Sequence, residues 1–165
     1  MEHLDSETRE TLFTLYRERA FLKLSVSIPL LLAKYPYESV LPSLMGAAQM
    51  ELGDYQSALE YYQRALKLKP GFEKLLNSLG ICYLKLERFN DALTSFESAL
   101  KQNSEFSPAW FNMGLVYENT GQWSRAVSSY EQAVAIDDQY FDAFTSLGLA
   151  LWRCEQYQQV PNAFT

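Results

Sequence analysis

Residues 107–140 contain the pattern that organises the chain. They read SPAWFNMGLVYENTGQWSRAVSSYEQAVAIDDQY. The shift that carries Gly80 onto Gly114 also superposes an alanine, an aromatic residue and a second alanine on their counterparts. The positions that recur at this period are Gly46, Gly80, Gly114 and Gly148; Ala58, Ala92 and Ala126; Tyr62, Phe96 and Tyr130; and Ala65, Ala99 and Ala133. Self-similarity at a fixed period predicts an array of short units that stack to share one core.

The composition is that of a folded, acidic protein. Of 165 residues, 48% are hydrophobic and 15% aromatic, which is enough apolar surface for a sizeable core and too much for a disordered chain. The net charge is −6 and the pI about 4.8. Because phosphate binding needs clustered Lys and Arg, we expect no nucleic-acid partner.

The cysteine count and the apolar runs bear on the cellular compartment. Cys82 and Cys154 are too few for a disulfide framework, so we expect both to be reduced thiols. The most apolar run, residues 20–33, is too short to span a bilayer and contains Lys23 and Pro29. The first residues lack the basic region of a signal peptide. We therefore predict a cytoplasmic protein that does not insert into membranes.

Three full copies and one partial copy of the unit follow each other, at residues 39–72, 73–106, 107–140 and 141–165. In the first, a helix over about 39–52 ends at Gly53, which suits a left-handed C-terminal residue, and Asp54 can cap the next helix. In the last, Tyr157 matches the turn aromatic and Pro161 falls in the first turn of a short second helix. Because that unit is incomplete, we expect the chain to be a fragment of a longer protein.

Residues 1–38 form the least regular unit. Two helices are expected, at about 6–18 and 21–35. A proline inside a helix removes a hydrogen bond and costs about 3 kcal/mol, so Pro29 predicts a kink or break near residues 25–28. Terminal repeats are commonly atypical because one face meets solvent. We interpret this segment as a degenerate N-terminal cap repeat.

The helical glycines need a compensating reason, since a glycine inside a helix costs about 1 kcal/mol relative to alanine. Close approach of two helices is the simplest one. We expect Gly114 and Ala126 to lie on facing helices, and we expect the aromatic residue at Tyr130 and its equivalents to pack into the next unit.

The repeat resembles the tetratricopeptide repeat family. The positions that carry the resemblance are Trp110, Met113, Gly114, Tyr117, Ala126, Tyr130 and Ala133. Pro42 and Gln49 depart from the pattern in the first clear copy. The resemblance implies an all-α, right-handed superhelical solenoid of stacked antiparallel helix pairs. In that family the first helices of successive repeats line a concave groove that holds an extended peptide or a partner helix.

The resemblance also implies which residues face that groove. In the first clear copy the stripe comprises Val40, Ser43, Ala47 and Met50. The candidate partner-binding residues are Lys74, Asn77, Ser78, Ile81, Lys85, Phe111, Asn112, Leu115, Glu118, Asn119, Thr145, Ser146, Trp152 and Arg153. Asn77 and Asn112 are the preferred ligand contacts, because an amide offers both a donor and an acceptor to a peptide backbone. Phe111 and Trp152 either expose apolar surface to a partner or pack on the adjoining helix.

Some tetratricopeptide proteins bind the acidic tails of chaperones through a clamp of Lys, Arg and Asn, and the residues of this chain do not favour such a clamp. Lys74, Lys85 and Arg153 are scattered, and Glu118 and Asp142 lie on the same face. Ser43 and Ala47 stand where that clamp wants a basic residue and an asparagine.

Catalysis finds little support. His3 is the single histidine, no glycine-rich phosphate loop occurs, and His3, Cys82 and Cys154 lack metal-ligand spacing. We expect no enzyme activity, cofactor or metal, and predict a scaffold that binds a protein or peptide. Two alternatives stay open: an N-terminal arm of a larger enzyme resembling bacterial glycosyltransferases or sulfotransferases, and a module that self-associates through its incomplete C-terminal repeat.

Overall fold

The computed structural model describes residues 3–159, with side chains to residue 155. Over this range the chain forms nine helices and no strand. The helices are α1 (Ser6–Arg17), α2 (Phe21–Lys34), α3 (Val40–Leu52), α4 (Tyr55–Leu68), α5 (Glu73–Lys85), α6 (Phe89–Gln102), α7 (Ser107–Asn119), α8 (Trp123–Ile136) and α9 (Phe141–Gln159). Each helix packs on its neighbour in sequence, and the first helices of adjacent pairs also touch, α1 on α3 and α5 on α7. This connectivity makes a solenoid.

The turn inside each pair repeats with the same period as the sequence. Arg19, Gly53, Glu87 and Gly121 occupy equivalent positions of successive repeats, and all have positive φ, between 57° and 82°. Only two of the four are glycines, so the stacked helices impose the left-handed turn even where a side chain disfavours it. After Gly53, the carboxylate of Asp54 accepts from the Ser57 backbone N–H at 3.1 Å, as the sequence predicted.

The helical glycines lie under the aromatic residue of their own pair. A Cβ at Gly46 would lie 2.9 Å from the Tyr62 ring, and those at Gly80 and Gly114 would collide with Phe96 and Tyr130. Each ring also packs on the next unit, as the sequence predicted; Tyr62, for example, shares its core cluster with Leu75 and Cys82. The ring belongs to the second helix of the same pair, and it fills the space that the missing side chain leaves.

Helix α2 is continuous through Pro29, so the predicted break is not found. Its inner face buries Leu24, Ile28 and Leu32 against α3, which favours an unbroken helix. Pro29 itself is exposed. Pro29 has no N–H to donate to the Ser25 carbonyl oxygen. Because Pro29 lies on the solvent side of the helix, water can replace this hydrogen bond.

Helix α9 continues past the position where the earlier pairs turn. Residue 155, one period after Gly121, is a glutamate, and the backbone stays helical to Gln159. The turn expected before Tyr157 is thus absent. A helical Glu155 avoids the left-handed conformation that a glutamate disfavours and keeps the helical hydrogen bonds. The prediction for Pro161 lies outside the described residues.

We predict opposite effects for one substitution at two equivalent glycines. Gly114→Ala forces the added methyl into the fully buried Tyr130 ring and should lower the free energy of unfolding by about 1–3 kcal/mol despite alanine's better helix propensity. Gly148→Ala is the matched control. No described atom lies within 4 Å of its Cβ, so this variant should gain about 0.5–1 kcal/mol.

Urea denaturation followed by circular dichroism measures both changes. Equal midpoints for the two variants would show that the ring contact does not set the spacing of the helices.

Candidate functional site

The predicted groove residues differ widely in how far they reach solvent. Six are exposed, six are half-buried and two are buried. The exposed ones are Lys74, Lys85, Asn119, Thr145, Trp152 and Arg153; the half-buried ones are Ser78, Ile81, Phe111, Leu115, Glu118 and Ser146; the buried ones are Asn77 and Asn112. The stripe therefore combines side chains that are free to meet a ligand with side chains that hold adjacent repeats together.

Asn77 and Asn112 bind each other across two repeats. The Asn112 Nδ2 donates to Asn77 Oδ1 at 3.0 Å, and both residues are 8% exposed. This bond joins α5 to α7 where the first helices meet. The Asn77 Nδ2 and Asn112 Oδ1 take no part in it, yet no fully buried side-chain N or O among the described residues lacks a partner. These two atoms thus keep access to solvent.

Phe111 and Glu118 are engaged by aromatic residues of α8 and the loop after it. The Phe111 ring lies 5.7 Å from that of Tyr130 and 5.0 Å from that of Tyr140. The Tyr130 hydroxyl donates to the Glu118 carboxylate at 2.7 Å. Burial is the largest cause of the raised pKa of Tyr130, and the Glu118 carboxylate is the next. This phenol therefore stays protonated and acts as a donor. Phe111 therefore packs on the adjoining elements.

Trp152 and Arg153 lie on α9 at the far end of the stripe. The Arg153 guanidinium stands 5.2 Å from the Trp152 ring centroid and 5.9 Å from that of Trp123. Trp152 stays 54% exposed, and Phe144 and Leu151 on the same helix are each 45% exposed. This end of the molecule presents apolar surface.

A cavity of about 500 Å³ opens at the other end of the stripe, between α1, α3 and α5. Val40, Ser43 and Ala47 line it as part of the predicted stripe, together with Phe13 and Tyr16. The sequence analysis assigned no site residue to α1 because the first repeat is degenerate. The period itself carried the signal, since Phe13 precedes Ala47 by one repeat.

The buried titratable groups near this surface have raised pKa values. Burial raises the pKa of the Cys82 thiol to about 12, so the thiol is protonated and a poor nucleophile at neutral pH. Its Sγ lies 3.3 Å from the Met50 Sδ. Burial likewise raises the pKa of Tyr62. Within the described part of the chain, no group of three His, Cys, Asp or Glu is placed to hold a metal ion.

The length and composition of the helices bear on membrane insertion. None of those in residues 3–159 combines the length and the apolar content that crossing a bilayer requires.

Sequence comparison identifies the repeats. Two family models, both for the tetratricopeptide repeat, match residues 49–110 and residues 107–140. A comparison with curated proteins finds no match. Together the two models span residues 49–140, which is part of the first clear unit and all of the next two.

Solved structures share the fold at low sequence identity. MamA 41-end from Desulfovibrio magneticus RS-1 is 21% identical, with a TM-score of 0.80 over 91% of this chain and 85% of that one. The Sgt2 TPR domain from Aspergillus fumigatus is 20% identical, with a TM-score of 0.72 over 78% of this chain and 86% of that one. The first TPR of Spaghetti (RPAP3), bound to HSP90 peptide SRMEEVD, is 18% identical, with a TM-score of 0.68 over 72% of this chain and 94% of that one. The predicted all-α solenoid is confirmed.

We predict that the Asn77–Asn112 bond contributes to stability. Asn112→Ala leaves the side-chain Oδ1 of Asn77 without its donor and should lower the free energy of unfolding by about 1–2 kcal/mol. In the double variant with Asn77→Ala, the total loss should be smaller than the sum of the single losses, because the partners depend on each other. Asn119→Ala, an exposed amide on the same helix, should change stability by about 0.5 kcal/mol or less.

Chemical denaturation of the four variants gives the coupling energy. Strictly additive losses would contradict a bond between the two amides.

Proposed function

Because the chain belongs to the tetratricopeptide repeat family, we propose that it is a non-catalytic scaffold. It binds a peptide or a partner helix along the stripe formed by α3, α5, α7 and α9. The buried Cys82 forms no disulfide bond, which suits a reducing compartment such as the cytoplasm.

The observation that carries this proposal is the pair of amides on α5 and α7. Asn77 and Asn112 fix each other through one hydrogen bond, which leaves the Asn77 Nδ2 as a donor and the Asn112 Oδ1 as an acceptor. A donor beside an acceptor matches the N–H and C=O groups of an extended peptide, whatever its side chains. Because the pair is already ordered, a ligand loses little affinity to fixing these side chains.

The surroundings of the amides supply the other requirements of a binding groove. Ile81 and Leu115 are half-buried apolar surface, while Lys85, Asn119 and Thr145 are exposed and polar. A mixed surface of this kind contacts ligand side chains without being so apolar that the free protein aggregates. The Spaghetti domain, which has the same fold, was solved with an HSP90 peptide, and this supports peptide binding as the class of function.

The test is selection of binders from a library of random linear peptides, followed by anisotropy measurements on the enriched sequences. Lys85→Glu/Asn119→Ala changes two exposed side chains one period apart on the stripe, and should weaken binding by about tenfold or more. Lys101→Glu/Glu131→Ala alters exposed residues of α6 and α8 and serves as the matched control. Equal affinities for both variants would place the ligand elsewhere.

Self-association is a second candidate function, favoured by the surface of α9. In the three pairs from α3/α4 to α7/α8, the second helix places an aromatic ring on the glycine of the first. Gly148 meets no described atom within 4 Å, and Phe144 and Leu151 beside it are exposed. A second copy of the chain would cover this face as an extension of the internal packing, and a buried face of this kind favours association.

Light scattering at several concentrations tests the second candidate. Wild type should exceed the 19.0 kDa of one chain as concentration rises, and Phe144→Ser/Leu151→Ser should remove that increase. The control is Leu22→Ser/Leu30→Ser, two exposed leucines of α2, which should behave as wild type. A monomeric mass at every concentration would eliminate this candidate.

A further inference from the structure

The lining of the cavity between α1, α3 and α5 combines a small residue, Ala47, with the large side chains of Phe13 and Tyr16. The first repeat carries Phe13 at a position where the second carries Ala47. In the next two repeats the same position holds Ile81 and Leu115. Ala47 lines a space of about 500 Å³ together with Phe13 and Tyr16.

The walls of the cavity are aromatic and partly preformed. Phe13 and Tyr16 remain 38% and 39% exposed, and Tyr16 is held by an edge-to-face contact with Phe21 at 6.0 Å. Leu44 and Leu75 are buried and contribute apolar lining. A concave apolar site of this size, with fixed aromatic walls, accepts a bulky apolar side chain at low entropic cost.

The polar groups of the cavity are distributed unevenly. The Ser43 and Ser78 hydroxyls donate to carbonyl oxygens of their own helices, at 2.7 and 3.0 Å. The charged lining residues are Lys69 and Lys74, and no carboxylate of the described residues lines the cavity. Neither lysine forms an ion pair with a described residue. The Lys69 ammonium lies 4.1 Å from the Phe72 ring centroid.

This excess of positive charge around an apolar cavity stands out in a chain of net charge −6. The charge distribution is complementary to a ligand that carries a negative charge next to apolar surface. A cation attracted to an aromatic face is already oriented, so its charge is available at the cavity without further ordering of the side chain.

We propose that this cavity anchors a bulky apolar side chain of a bound peptide, and that Lys69 and Lys74 hold a carboxylate next to that side chain. The inference rests on the proposed peptide-binding function and assigns its specificity to the N-terminal end of the groove. The Phe13 and Tyr16 rings contact the apolar side chain. The rest of the peptide runs towards Asn77 and Asn112, whose free donor and acceptor contact its backbone.

The experiment uses the full chain and peptides selected on it from a library of random linear sequences with free carboxyl termini. Enriched peptides should share a large apolar residue adjacent to Asp, Glu or the terminal carboxylate. Ala47→Leu introduces the side chain present at Leu115, narrows the cavity beside Phe13 and Tyr16, and should weaken the binding of these peptides by about tenfold or more. Ala135→Leu, at an exposed position of α8, is the matched control.

The charge requirement is tested separately, and this test stands if Ala47→Leu fails to fold. Lys69→Ser/Lys74→Ser should remove the preference for an acidic neighbour, whereas Lys67→Ser/Lys101→Ser, at exposed positions of α4 and α6, should keep it. Raising the salt concentration should weaken binding to wild type more than binding to the Lys69→Ser/Lys74→Ser variant.

The outcomes separate this inference from the proposed function. Peptides that bind wild type but are unaffected by both cavity variants would overturn the cavity assignment and leave groove binding intact. Enrichment of no peptide would overturn both. If fluorescent dodecanoate binds wild type, is lost in Ala47→Leu, and no peptide competes with it, the occupant is a free carboxylic acid and the proposal is wrong.

Discussion

In each complete repeat an aromatic ring rests on a glycine of the facing helix, and the rest of the structure depends on this contact. The rings of Phe96 and Tyr130 are fully buried, and a single methyl at Gly80 or Gly114 would occupy their space. Interiors are packed as densely as organic crystals, so the contact fixes the distance between the two helices of a pair. The left-handed turn follows, because helices held this close are joined by a very short connection, even where its residue is Glu87.

The same contact divides the surface of the first helices into two functional parts. The side of each first helix that faces the aromatic ring is buried in the core. The neighbouring side carries Asn77, Ile81, Asn112 and Leu115, whose positions repeat with the solenoid. Because the repeats stack regularly, these positions form a continuous stripe. Residue differences between the repeats change the size and polarity of the side chains along it. A cavity opens at one end, where the second repeat has an alanine, and apolar surface is exposed at the other, where the last glycine meets no described atom within 4 Å.

Burial explains why polar groups on this stripe have different roles. Asn77 and Asn112 lie between two helices, so each must satisfy part of its hydrogen-bonding capacity inside the protein. The Glu118 carboxylate likewise accepts a hydrogen bond from the hydroxyl of the buried Tyr130 on α8. Lys74 and Lys85 stand on the exposed edge, where water solvates their ammonium groups.

The sequence alone determined the repeat length, the helix pairs and the side of each helix that enters the core, because these follow from a strict period of apolar and small residues. Packing decided the rest. The sequence could not show that Tyr130 rests on its own repeat, that α2 continues through Pro29, or that Asn77 and Asn112 bind each other. Each depends on which atoms meet across helices far apart in the chain, and a side chain's partner, unlike its periodicity, is set only when the helices are stacked.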